Sequence, residues 1–252
     1  MAGSRMFAFS WIIVMPIRRP ADLPPLTLPP LATQTGNLAS RDHLREYSVD
    51  LAQQMRDLPK PEFHPATDPL DYAALQQVGF ALMSHGFLVH HDPLDVFIHA
   101  RRELGHGQGK FNGDKFHLSV QQAEVPAAFG AIAGLLFSEH CPFDKWKVTD
   151  MARADPASRV SVGAQWTLYA KPEAADSGYR AQELFAIRCF VEALEAQLAA
   201  HGIAPGVHPQ SDVRPAHWHY LSYRNELRSD RYGGAAQNEA LRDEPFYSLM
   251  TR

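Results

Sequence analysis

The chain has 252 residues, 45% hydrophobic and 10% aromatic, with a formal net charge of −4. That is enough apolar material for one core, and the acidic balance argues against a broad nucleic-acid-binding surface, so any basic chemistry must be local. Two cysteines, Cys141 and Cys189, match neither a disulfide framework nor a zinc spacing and are expected as free buried thiols; no apolar stretch is long enough to span a bilayer.

Residues 6–15 are a short apolar run after Arg5. They read poorly as a signal peptide, because one arginine is a weak leader and no small-x-small cleavage site follows. The preferred reading is that translation starts at Met15. Residues 16–39 are proline-rich, which predicts a disordered or polyproline-like tail. Within it, Arg18 and Arg19 precede Leu26-Thr27-Leu28. Basic, spacer, then apolar-x-apolar is the layout of a docking peptide for MAP kinases; an ordinary linker is the alternative.

The globular part is expected to begin near Ser40, a possible cap for an amphipathic helix over 40–58. Residues 95–101 read as a strand with Phe97, His99 and Arg101 on one face. The glycine-rich loop at 104–111 lacks the spacing and the Ser or Thr of a nucleotide-binding loop. Residues 114–120 (DKFHLSV) and 144–148 (DKWKV) alternate polar and apolar, the period of a half-buried strand. Lys115 and His117 then share one face, and Lys145 and Lys147 share one face, with Phe116, Leu118, Trp146 and Val148 turned to a core. Two readings stay open from the pattern: solvated faces of two edge strands, or a pocket for a dianion. In the second, a lysine with a lowered pKa can act as a base and a histidine as an acid, which suits an elimination.

Between those strands, 124–138 reads as a buried helix. Residues 159–171 read as one long strand, with Val160, Val162, Ala164, Trp166 and Leu168 inward and Arg159, Gln165, Thr167, Tyr169 and Lys171 outward. A strong helix over 178–201 stops at Gly202. Tyr220, Ser222, Arg224 and Glu226 alternate along a last strand, and Arg224, Arg228 and Arg231 follow one another in a charged stretch. The class expected is α+β, a single compact domain over 40–252 of twisted, largely antiparallel strands packed against helices, preceded by a disordered tail over 1–39. His140-Cys141 with Lys147 six positions on nearly spells a cysteine phosphatase loop, but the arginine is missing and the bulky intervening run cannot cradle phosphate. His217-x-His219 has no further ligand at matching spacing and reads as surface.

Several blocks are similar to a known family: DVFIHARRE, QGKFNGDKFHLSV, GLLFSEHCPFDKWKVTDM, RVSVGAQWTLYAKP, YLSYRNELRS and LRDEPFYSLMT. In this order, over about residues 15–252, they resemble the phosphothreonine lyases delivered by bacterial type III secretion, the SpvC and OspF proteins. The resemblance implies β-elimination of phosphate from phosphothreonine in the T-x-Y activation loop of host MAP kinases, leaving dehydrobutyrine. It implies Lys147 as the base, His117 as the acid and Lys115 as a stabiliser of developing charge. Arg159 and Arg224 would hold the phosphate, with Lys145 and Tyr169 beside it. Phe97, Arg101, Phe111 and Arg231 would receive the neighbouring phosphotyrosine, and the tail from Arg18 to Leu31 would dock the kinase. It further implies a secreted monomer with no metal or organic cofactor and no membrane or nucleic-acid partner. Clustered Lys115, Lys145, Arg159 and Arg224 would depress the pKa of Lys147. The alternatives are a catalytically inactive kinase-docking effector and a hydrolytic phosphatase. Residues 1–14 lie outside the resemblance, and the tail and the loop at 104–108 depart from it.

Overall fold

The computed structural model describes residues 41–105, 109–174 and 178–252. Seven strands form one sheet: β1 (Leu82–Ser84), β2 (Phe87–His91), β3 (Phe97–Arg102), β4 (Asp114–Leu118), β5 (Lys145–Thr149), β6 (Trp166–Tyr169) and β7 (Leu221–Asn225). Their spatial order is β1-β2-β3-β5-β6-β4-β7, and each neighbouring pair is antiparallel. The α+β expectation holds. The strand order does not follow the chain: β4 leaves a place beside it that β6 fills, and β5 joins on the far side of β6.

Alternation decides which side of this sheet is dry. Phe116, Leu118, Trp146, Val148, Trp166 and Leu168 are all fully buried, and successive residues of a strand face opposite ways. Helices cover that side. In chain order the helical segments are α1 (Ser48–Asp57), α2 (Tyr72–Gln77), α3 (Val125–Leu136), the single turn α4 (Arg159–Val162), α5 (Ala181–Ala200), α6 (Ala235–Arg242) and α7 (Pro245–Thr251), and of these α4 lies on the other side, where its Val160 carbonyl accepts from Thr149 Oγ1. Phe129 of α3 lies 6.2 Å from Trp146, and Phe246 of α7 stacks on Tyr223 at 5.8 Å. Phe190 of α5 meets Phe143 at 5.7 Å, just before β5. Aromatic pairs at such separations each add about 1 kcal/mol beyond area burial. Trp146 and Trp166 bury indole N–H groups that have no hydrogen-bond partner among the described residues.

Three expectations need correction. The helix over 40–58 is interrupted by a turn at Tyr47, between helical residues 41–46 and α1; Ser40 lies outside the described residues. The 220–226 strand is shorter, Leu221–Asn225. The third error is larger. Residues 159–171 are not one strand: α4 comes first, and the strand spans only Trp166–Tyr169. The V-x-V pattern is read equally by a helical turn, and Ser158 enters it from extended backbone. Gly163 then passes so close to Val207 O that any Cβ would overlap it, at 1.8 Å. Ala164 takes φ +51 and donates its N–H to Ser119 Oγ at 2.8 Å. Gln165, assigned outward, is fully buried; its amide braces Val120 and Ser161 in place of a sheet ladder. Val162, assigned inward, is 38% exposed. This folded-back turn carries Arg159 over the sheet.

Candidate active site

The sheet face opposite the helices carries two lateral rows set by register. One runs Ser222, His117, Thr167, Lys147, His99 across β7, β4, β6, β5 and β3; the next runs Arg224, Lys115, Tyr169, Lys145, Arg101 across the same strands. Lys147 and His117 are therefore each paired to Thr167, from opposite sides. At about 4.8 Å between strands, their backbones stand roughly 10 Å apart, a gap that side chains can close onto one small group. The edge-strand reading is excluded, because β4 and β5 are both interior to the sheet.

His117, Thr167 and Lys147 of the first row and Arg224, Lys115 and Tyr169 of the second line a cavity of about 370 Å³ that Phe97, Arg159 and Arg231 also reach. Lys145, Arg101 and Phe111 line a neighbouring cavity instead, and Tyr169 and Glu226 belong to both. The expected phosphotyrosine region is thus divided: Phe97 and Arg231 in the first cavity, Arg101 and Phe111 in the second. Arg228, neighbour in sequence to these arginines, pairs with Glu244 and does not line the first cavity. Arg18, Arg19, Leu26 and Leu28 lie outside the described residues.

Lys147 packs its ammonium 3.4 Å from the centre of the Phe97 ring. Burial brings its pKa down to about 8. Asp95 and Glu226 oppose that fall, whereas Lys115 and Lys145 add to it. The lowered pKa was expected, but its main cause is loss of water rather than crowding by cations. Lys115 is held by Glu226 at 2.9 Å, and its pKa is lowered by burial against that carboxylate's pull.

His117 is 3% exposed. Its Nδ1–H donates to Asp212 Oδ2 at 2.6 Å, which leaves Nε2 for other work. Asp212 also accepts from Ser222 Oγ at 2.9 Å and Ser211 Oγ at 2.9 Å, and its pKa lies below the usual carboxylate range despite burial. Burial pushes the His117 pKa down, Asp212 pulls it up, and Lys115 and Arg159 push it down again. Arg224 is nearly buried and gripped by Ser229 through Oγ at 3.0 Å and its carbonyl at 2.9 Å. Arg159 and Arg224 both reach Ser211 Oγ, at 3.3 and 3.5 Å. Two guanidinium forks, two lysines and a carboxylate-held imidazole facing one cavity can bind a phosphate dianion and move protons at its attachment point.

Asp212 was not anticipated. It sits 95 residues from His117 in an irregular segment with no periodic signal. Glu226 was placed in its alternating strand, but nothing local marked it as the partner of Lys115. The cysteine route is closed physically. Cys141 is fully buried, its Sγ faces Phe143 O, and burial pushes its pKa up to about 12. Cys141→Ser is expected to retain turnover within about twofold of the parent, since an inert buried thiol contributes packing rather than nucleophilicity; steady-state rates check this, and a dead, folded variant would revive a thiolate mechanism. His217 and His219 are exposed in turns, and among the described residues no three His, Cys, Asp or Glu side chains cluster to hold a metal.

Comparison with known proteins places the chain beside one family. A family model described as OspF/SpvC matches residues 16–252. A protein of Salmonella typhimurium named MAPK phosphothreonine lyase is 50% identical over 240 residues, covering 94% of this chain and all of the relative. Phosphothreonine lyase OspF of Shigella flexneri is 47% identical over 213 residues, covering 84% of this chain and 89% of its own. The solved structure of the Chromobacterium violaceum VirA (SpvC) phosphothreonine lyase effector superposes with a TM-score of 0.83 at 51% identity, covering 85% of this chain and all of that one.

Proposed function

The chain belongs to the OspF/SpvC family, and from that premise we propose that it is a phosphothreonine lyase acting on the doubly phosphorylated T-x-Y loop of host MAP kinases. The observation that carries the reading is the row across the sheet in which Lys147 and His117 flank Thr167 on one buried face. Arg159 and Arg224 line the same cavity as that row.

Chemically, the phosphate of the threonine is held by Arg159 and Arg224, with Arg231 at the edge. Neutral Lys147 takes the α-proton. The electrons of that C–H bond form the Cα=Cβ double bond, the Cβ–O bond breaks, and phosphate leaves with a proton from His117 Nε2. Lys115 stabilises the charge that builds on the carbonyl and the leaving group, because a peptide α-proton is too weak an acid for a base alone. Free His117 is short of the charge it needs. The arriving dianion raises its pKa, so substrate completes the acid. Lys145 and Tyr169 form the wall toward the second cavity, the ammonium lying 4.8 Å from the ring centre. Arg101 and Phe111, in the second cavity, receive the neighbouring phosphotyrosine, whereas Phe97 packs on Lys147 in the first.

Residues 40–252 form the lyase domain, and the tail over 1–39 docks the kinase through Arg18, Arg19, Leu26 and Leu28, raising the local concentration of the loop. The chain would act as a monomer. Type III secretion would deliver it to the host cytoplasm or nucleus. Among the described residues no helix is long and apolar enough to cross a membrane. The test is to weigh a doubly phosphorylated T-x-Y peptide after incubation. Loss of phosphoric acid is expected. Loss of HPO3, the hydrolytic result, would make the chain a phosphatase, and an unchanged peptide would make it a binder.

A further inference from the structure

A third cavity, of about 380 Å³, adjoins the second, with Glu183 and Ile187 of α5 among its walls. Tyr169 and Glu226 are shared walls of the first and second; Asp144 and Lys171, ion-paired at 3.1 Å, are shared walls of the second and third. The third cavity differs in character. Phe63, Pro142 and Ile187 give it apolar walls, whereas Glu62, Glu173 and Glu183 make it negative. Glu62 and Glu173 are exposed. Glu183 is 8% exposed, and its Oε1 has no hydrogen-bond partner among the described residues; Arg180 Nε stands 4.0 Å away, beyond hydrogen-bond reach. Glu183 Oε2 accepts the backbone N–H groups of Glu173 and Arg180, both at 3.3 Å, so only Oε1, with its single 4.0 Å ion pair, is under-satisfied, and a cation brought to the site relieves it.

The other two cavities are walled by cations and suit phosphates. An extended chain whose phosphothreonine sits in the first and whose phosphotyrosine sits in the second has the third as the next cavity, past Asp144 and Lys171. We propose that the third cavity is a subsite for the substrate residues that follow the phosphotyrosine, and that it selects an apolar residue accompanied by a basic one. The assignment rests on the lyase reading and on the order of the two phosphorylated residues along the substrate. The segment concerned is the next two to four residues, about 7–13 Å of extended chain.

Three peptides test it: one ending at the phosphotyrosine, one continued beyond it by four residues including a leucine and an arginine, and one extended by the same four at its other end. Each is assayed with the parent and with Glu62→Lys/Glu173→Lys, two exposed changes outside the proposed catalytic machinery. Extension past the phosphotyrosine is expected to raise kcat/KM about tenfold, mainly through KM, as uniform binding does. The double charge reversal should remove that gain while leaving the short peptide within about twofold. The subsite is overturned if the first two peptides react alike, if the other extension gives the larger gain, or if charge reversal preserves the gain or slows both peptides equally. If none of the three peptides is eliminated, the lyase reading falls and this subsite with it, an outcome recognisable from their masses alone.

Discussion

Lys147→Ala is expected to lower kcat by about 10³-fold or more, the upper range for loss of a general base, while affinity for the doubly phosphorylated peptide stays within about threefold because the arginines remain. Lys147→Arg should be as inactive, since a guanidinium keeps its proton throughout the working pH range. A single-turnover assay with a separate binding measurement separates the two effects, and a Lys147→Ala enzyme with appreciable elimination would reassign the base. The pH profile carries a finer signature. Lys147 must be neutral and His117 protonated, yet in the free enzyme Lys147 titrates at about 8 and His117 below its ordinary value. Between those two values the pair holds one proton, which sits on Lys147 in most molecules; the reactive arrangement, with the proton on His117, is the minority one. Above about 8 that proton is lost and kcat/KM should fall, because no acid remains. Below the His117 pKa a second proton arrives and neutralises the base; the substrate phosphate, with its second pKa near 6, shares that acid limb. Asp95 holds the Lys147 pKa up, so Asp95→Asn should move the alkaline limb to lower pH. A limb that stays in place would remove Lys147 from the titration.

Asp212→Asn is expected to lower kcat by about 10²–10⁴-fold, the upper end being what amide replacement does to a carboxylate that orients a catalytic imidazole. The 2.6 Å bond from His117 Nδ1 fixes which ring nitrogen faces the cavity, and an asparagine there can present its amide and turn the tautomer around. The change also removes a negative charge 3.6 Å from Arg159, so phosphopeptide binding should be unchanged or tighter. This split distinguishes positioning from simple damage: a misfolded site would lose both rate and affinity. His117→Asn should lose at least as much rate. An Asp212→Asn enzyme with parental kcat would remove the acid's orientation from the mechanism.

Much of the site was legible in the chain. Period-2 alternation put Lys115 with His117 and Lys145 with Lys147, each pair backed by aromatics, and the sheet keeps those faces. The resemblance named the arginines that the structure brings to the same cavity. The misread segment, 159–171, shows the limit. A β-branched alternation over four residues fits a turn as well as a strand, and only the close approach of Gly163 to Val207 chooses the turn.

Strand faces, helix positions and the supply of cations follow from local sequence, because side-chain direction within an element depends only on its own backbone period. Three things were decided by the tertiary structure alone: the insertion of β6 between β4 and β5, the capture of His117 by Asp212 and of Lys115 by Glu226, and the burial that brings Lys147 down to about 8. Each depends on which distant segments meet and on how much water they displace, and those are properties of the packed chain rather than of any stretch within it.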